Sequence, residues 1–364
     1  MIITLRSVGR RILPCLAAVA AMAVAMSVAS APAQAMTPRT TYWERGTVMT
    51  PRFQWNANSG YCGETAFISA GMRFGQYTSQ WTARHLAAPK LPQWNPSAQL
   101  LLGGNDLRAA RAMRLDATAF DGKKQRSVPQ FLRWVKGHFL AGDPVIIGVL
   151  NNTKILGEWP QDKGQGSYDH IVPVFGIGSG HPLRGNAYYP NDSITISDNG
   201  LHNVGPNIPY LYTYEFASFP RTRAEANAIG GPVYALRDRP KNYGTVVTGV
   251  LDLDGVTIPV RLTSDVNGEG VHNGSGPNQV MRAAPPGISI TLTAHVTIPD
   301  QSKAYRVYLY DTFGHVPTRD FNAKAAKAIQ TWTIPAGSGP TWSVTIDALS
   351  NDTRAFRAVP ASAP

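Results

Sequence analysis

The chain has 364 residues, a length that suits two domains, with 34 Lys and Arg against 23 Asp and Glu for a net charge of +11. The basic excess is spread out, with only a small cluster at Lys123, Lys124 and Arg126, which excludes an RNA-binding tail and predicts no nucleic-acid partner. Of its 2 cysteines one falls in the leader described next, so the mature chain cannot close an internal disulfide.

Residues 1–35 read as a secretory signal. Arg6, Arg10 and Arg11 form a basic start, Ile12 to Val28 is an apolar, Ala-rich run, and Ala33-Gln34-Ala35 matches a small-residue cleavage site. An uncleaved anchor is the alternative, and no later stretch is apolar enough to span a bilayer. Cleavage after Ala35 removes three basic residues, leaving 31 against 23 and a net charge of +8. The expected location is secreted or periplasmic, with a solvated basic surface as the plain reading and attraction to an acidic wall polymer or membrane as the other.

Next comes Gln54-Trp-Asn-Ala-Asn-Ser-Gly-Tyr-Cys-Gly-Glu-Thr-Ala66, where a polar loop meets a helix running from Glu64 to about Phe74. Cys62 sits at that junction, where the helix dipole and unpaired amides favour thiolate. Its glycine and asparagine neighbours are unlike an apolar core strand. A second helix spans Asn105 to Leu115, capped by Asn105 or Asp106. A third follows Ser127, its stripe of Phe131, Trp134, Val135 and His138 being core, and Gly142 and Pro144 stop it.

Strands follow at Val145–Leu150, Ile171–Ile177 and Ser193–Ser197, with a Gly-rich loop from Asn151 to Ser167 between the first two. Helices first and strands second predict an α+β domain, with a cleft between its helical and sheet halves. After a linker at Arg237–Asn242, Val246–Leu253 and Val256–Leu262 flank Asp254-Gly255, a type I′ hairpin signal. Further strands are expected at Ile288–Ile298, Tyr305–Tyr310, Gln330–Ile334 and Thr341–Ile346, enough for a small all-β sandwich. Asp265-Val-Asn-Gly-Glu-Gly270 fails as a calcium loop, since Gly276 stands where a bidentate Glu is needed. The domains are therefore expected at 36–240 and 241–358, with a loose tail at 359–364.

A cysteine nucleophile needs a base, and the base an orienting partner. His170 opens a strand after a flexible loop, at the rim of a cleft. Asp198, with Asn199 in reserve, leaves the next strand and can accept from an imidazole. The chain order of Cys62, strand-borne His170 and strand-end Asp198 resembles that of papain-like cysteine peptidases. More closely it resembles the bacteriocin-processing, double-glycine-leader peptidases and their secreted relatives, over residues 50 to 200. That resemblance implies Cys62 as nucleophile, His170 as general acid/base and Asp198 as orienting carboxylate. It implies Gln54 as oxyanion donor beside the Cys62 amide, although the papain-like spacing falls on Asn56. The implied activity is hydrolysis of a peptide or protein through a thioester, with no cofactor, or acyl transfer by the same triad.

Two other classes compete. One is a secreted binding protein with an inert papain-like half and a sandwich that contacts a cell surface or polymer. The other is a cell-wall amidase, against which stands the lack of an Asp-Cys-Ser-Gly-like motif. Trp55 and Trp159 are core or rim residues, with a substrate subsite as the lesser reading.

Overall fold

The computed structural model describes residues 43–46, 49–124, 127–152, 166–202, 210–238, 242–269 and 279–363. The predicted signal segment, Trp159, most of the 151–167 loop and the middle of the linker lie outside them. Among the described residues there are five α-helices, α1 (Cys62–Arg73), α2 (Gln80–Ala87), α3 (Asp106–Ala112), α4 (Val128–Ala141) and α5 (Arg223–Asn227). The strands before residue 240 are β1 (Trp43–Arg45), β2 (Gln76–Tyr77), β3 (Leu115–Ala119), β4 (Val145–Asn151), β5 (His170–Ser179), β6 (Ser193–Ser197), β7 (Leu211–Glu215) and β8 (Tyr234–Ala235). After it come β9 (Gly244–Val250), β10 (Val260–Ser264), β11 (Ser289–Thr297), β12 (Tyr305–Tyr310), β13 (Gln330–Ile334), β14 (Thr341–Leu349) and β15 (Arg354–Pro360).

The result is a mixed fold of helix and antiparallel sheet, with more strand than helix. An eight-stranded sheet runs β3-β9-β4-β5-β6-β7, with β1 on β5 and β8 on β4. A three-stranded sheet runs β10-β11-β14, and a four-stranded one β13-β12-β15-β2. The last two share one core in which Leu262, Leu292 and Val296 meet Val307, Leu309 and Phe356. In β12, Tyr305, Val307 and Leu309 face that core, while Tyr308 and Tyr310 face another, so the strand is buried on both sides.

Helix α4 shows how local signals set an element. Ser127 and Gln130 form a capping box at its start, and Gly142 ends it with φ 95°, a left-handed C-cap that glycine adopts without a Cβ penalty. Phe131, Leu132, Val135 and Phe139 then cover one face of the eight-stranded sheet. Of the predicted stripe, Phe131 and Val135 are in the core and Trp134 packs against it half-buried, whereas His138 is partly exposed and hydrogen-bonds Asp143.

Helix α1 is buried almost all round, as befits a helix placed inside a core rather than on its surface. Phe67 and Ala70 face the core of the eight-stranded sheet, while Ile68 and Met72 join the core of the two smaller sheets. Small residues permit this. A Cβ at Gly63 would stand 2.1 Å from the Leu100 carbonyl oxygen, so the helix start touches the 100–102 segment directly.

Three expectations need correction. The hairpin does not form: β9 lies between β3 and β4, whereas β10 pairs with β11. The turn itself is there, because the Asp252 carboxylate accepts from the amides of Asp254, Gly255 and Thr257. What alternation did not reveal is the partner of each arm, and buried Val246 and Val247 take β9 into the larger sheet. β9, which lies wholly beyond the boundary expected at residue 240, belongs to the sheet built before it, and Thr41–Pro364 is one compact unit. The tail is tied rather than loose: β15 runs to Pro360, Ala361 donates to the Ala304 carbonyl at 2.9 Å, and Asn322 Nδ2 donates to Ala363 O at 2.6 Å.

Candidate functional site

Cys62 is the first residue of α1 and is half-buried. The loop before it is forced into shape by three successive left-handed residues, Asn58 (φ 49°), Ser59 (φ 66°) and Gly60 (φ 87°). Arg84 of α2 holds that strained turn. Its guanidinium donates to the carbonyls of Asn58 (2.9 Å), Gln93 (3.0 Å) and Gly60, and lies 3.6 Å over the Tyr61 ring. Its Nε donates to Glu64 Oε1 at 2.6 Å, and the same oxygen accepts from the Leu100 amide at 3.0 Å. Sequence reading missed Arg84 because the Arg-Glu pair is 20 residues apart and belongs to a helix with no apolar stripe long enough to stand out.

The helix end does not yield a thiolate here. Amides of Ile171 and Gly63 point hydrogen bonds at the sulfur, and Arg84 adds positive charge, all favouring ionisation. Burial and then the nearby Glu64 carboxylate outweigh them and push the thiol up to about 12. Desolvation, together with a carboxylate two residues away, thus works against the resting thiolate that the helix end favours.

His170 opens β5 and is buried, its ring stacked 5.8 Å from Tyr234. Nε2 lies 3.0 Å from the Asp198 main-chain carbonyl. A carbonyl only accepts, so Nε2 carries the proton and Nδ1 is the basic nitrogen of the neutral ring. Burial lowers its pKa to about 4, and the Asp198 carbonyl opposes this only in part. No hydrogen bond joins His170 to Cys62 among the described residues; the sulfur instead meets the amide of Ile171, one residue along the strand.

Asp198 and Asn199 form the turn that ends β6. The Asp198 carboxylate makes no hydrogen bond to His170 among the described residues and accepts from Gly200 N (2.9 Å), Tyr234 OH (3.1 Å) and His202 N (3.2 Å). Burial raises its pKa to about 6 despite these donors. The orienting group at the imidazole is therefore the main chain of Asp198 and not its carboxylate, which closes its own turn as an Asx residue does.

Asn199 makes the link between the two halves. With φ 54°, it turns Nδ2 to donate to the carbonyls of Cys62 (3.2 Å) and Ile171 (2.9 Å). Its own carbonyl accepts from the Gln54 amide at 2.9 Å. Gln54 thus joins the site through its backbone, and its side-chain Oε1 is buried without a partner among the described residues. Asn56, the other oxyanion candidate, is half-buried in the same loop. Trp55 is core: its amide donates to Gln80 Oε1 at 2.8 Å and its ring packs edge-on against Tyr61.

Two tyrosines complete the surroundings. Tyr168 hydrogen-bonds the Leu102 carbonyl at 2.8 Å and is close enough to Cys62 for a thiolate there to raise its pKa. Tyr234, on β8, backs the histidine and the aspartate. Tyr234 carried no signal in the sequence, since its partners come from three other strands. Among the described residues no three His, Cys, Asp or Glu side chains converge as a metal site.

No protein-family model, curated protein or solved structure matches this chain.

Proposed function

We propose that the protein is an exported cysteine-dependent amide hydrolase, with a papain-like arrangement around Cys62 and a β-sandwich built from the two smaller sheets. The observation that carries this reading is the Asp198-Asn199 turn. One residue fixes the proton on Nε2 of His170, and the next clamps the main chain of Cys62 to that of Ile171. A free-base Nδ1 and a thiol anchored at the adjoining amide are the parts that acyl transfer needs.

In this reading the resting pair is neutral, so the Cys62 proton passes to His170 Nδ1 as sulfur attacks the substrate carbonyl carbon. The imidazolium then gives that proton to the departing amine, leaving a thioester on Cys62. A water molecule, deprotonated by His170, adds to the thioester and releases the acid and the thiol. Gln54 or Asn56 and the Cys62 amide are the candidate donors to the transient oxyanion.

A peptide library incubated with the full chain, with and without an added amine, is read by mass spectrometry. Cleavage is expected from the wild type, none from Cys62→Ser, and a loss of about 100-fold or more from His170→Ala. Products carrying the added amine identify acyl transfer. Turnover that survives Cys62→Ser refutes the reading.

The second reading is a binding protein with an inert cysteine, favoured by the thiol pushed to about 12. It predicts no product from any library and unchanged polymer binding in Cys62→Ser.

A further inference from the structure

Helix α1 carries Cys62 at one end and Arg73 at the other, roughly 16 Å away along the axis. Arg73 borders a cavity of about 390 Å³, whose walls include Arg261, His295, Thr341, Trp342 and Ser343 and no Asp or Glu. The three-stranded sheet aims these groups by simple alternation. Val260 and Leu262 point into the core on either side of Arg261, as Ala294 and Val296 do around His295. Register then sets Arg261 opposite His295, and His295 opposite Ser343, in one row across the sheet.

Like charges directly opposite on a sheet repel. After burial, the charge of Arg261 is the next cause holding down the pKa values of both Arg73 and His295. Among the described residues no carboxylate ion-pairs with Arg73 or Arg261. The one whose charge reaches Arg73 is Asp143, which is hydrogen-bonded to the His138 ring at 3.0 Å. The His295 ring is fixed by Thr263 Oγ1, 3.0 Å from its Nε2. Two guanidinium groups and an imidazole thus border one concave site without an anion to balance them.

We propose that this groove binds the phosphate or carboxylate group of a small ligand. Arg73 and Arg261 supply planar donor forks suited to either oxyanion, and His295 supplies a third donor. Thr341 and Ser343 stand at the same wall, and Trp342, which packs on the core side of the sheet, borders its edge. The site lies at the far end of α1 from Cys62 and does not depend on the hydrolase reading.

The test is calorimetric titration of the full chain with inorganic phosphate and, separately, with glucuronate, at ionic strength matched with sodium chloride. Saturable binding of one or both is expected, and which one binds tells phosphate from carboxylate ligands. Arg73→Gln and Arg261→Gln should each weaken it at least tenfold, while Thr293→Ala, on the same outward face, should leave it unchanged. Melting curves check the fold of each variant. If a glutamine variant fails to fold, Arg73→Lys and Arg261→Lys keep the charge but lose the fork, and weaker binding is still expected. In the wild type the bound anion should raise the His295 titration midpoint seen by NMR. The proposal falls if neither anion saturates, or if the arginine variants bind like the wild type.

Discussion

Two turns hold the candidate site, and they are stabilised by different chemistry. The Asn58–Tyr61 turn is clamped by a buried charge pair, Arg84 and Glu64, with side-chain exposures of 0% and 1%. The Asp198–His202 turn is closed by a carboxylate whose donors include the amides of Gly200 and His202 and the Tyr234 hydroxyl, with no cation at hydrogen-bond distance among the described residues. A paired buried charge is severe to break, because removing one partner strands the other. An unpaired carboxylate held by neutral donors is mild to perturb and titrates in a useful range.

The largest effect should come from cutting the first clamp. Arg84→Met leaves Glu64 buried without its cation and releases two carbonyls of the strained turn, Asn58 and Gly60, together with that of Gln93. The expected loss is about 3–5 kcal/mol in denaturant unfolding. A loss under about 1 kcal/mol would mean that the pair does not hold the turn.

Next is the link between the turns. Asn199→Ala removes two hydrogen bonds and places alanine at φ 54°, for an expected loss of about 1–3 kcal/mol. Asn199→Gly isolates the hydrogen bonds, since glycine adopts that φ freely. Equal losses in both variants would assign the whole effect to the amide contacts.

The second turn should respond to pH. Asp198 rises from an ordinary 3.8 to about 6 on folding, so the native state binds the proton more tightly and stability falls as pH climbs through that window. His170 falls from 6.5 to about 4, so its contribution is lost as pH drops through the same region. The two slopes oppose each other. In Asp198→Asn that opposing slope is removed, and stability measured from pH 4 to 6 should rise more steeply with pH than in the wild type. A shallower rise would contradict the assignment.

Smaller still is Tyr234→Phe, which removes one neutral donor for about 1 kcal/mol and should move the Asp198 midpoint further up by NMR titration. At the cysteine, iodoacetamide alkylation should be slow at neutral pH and accelerate only in strong alkali, because the thiol sits near 12. Glu64→Gln deletes a charge that opposes ionisation, so alkylation at a fixed pH should become faster. An unchanged rate would leave burial as the sole cause.

Position was legible in the sequence, and protonation was not. Ser127, Gly142 and the apolar stripe between them located α4, because capping and periodicity are local. Cys62 at a helix start, His170 at a strand start and Asp198 at a strand end were legible for the same reason. Their roles depend on groups distant in sequence. The thiol is set by burial and by a glutamate paired with Arg84, and the imidazole by a main-chain carbonyl 28 residues on. Alternation likewise found both arms of the Asp254-Gly255 turn but could not say that they join different sheets. The tail expected from residue 359 overlaps the end of β15, and no strand is read at Arg354–Pro360, because its alternation does not show that it is flanked by partner strands on both sides.

That strand bears on how the molecule is made. β15 pairs with β2, which follows immediately after the Cys62 helix, and Arg357 reaches Gln76 Oε1 at 2.7 Å. The segment behind the nucleophile candidate therefore lacks its sheet partner until some 280 further residues have been synthesised. Such long-range closure folds slowly. The surroundings of α1 are thus among the last parts to be completed, and a chain interrupted before β15 would carry Cys62 on a helix with an unfinished floor.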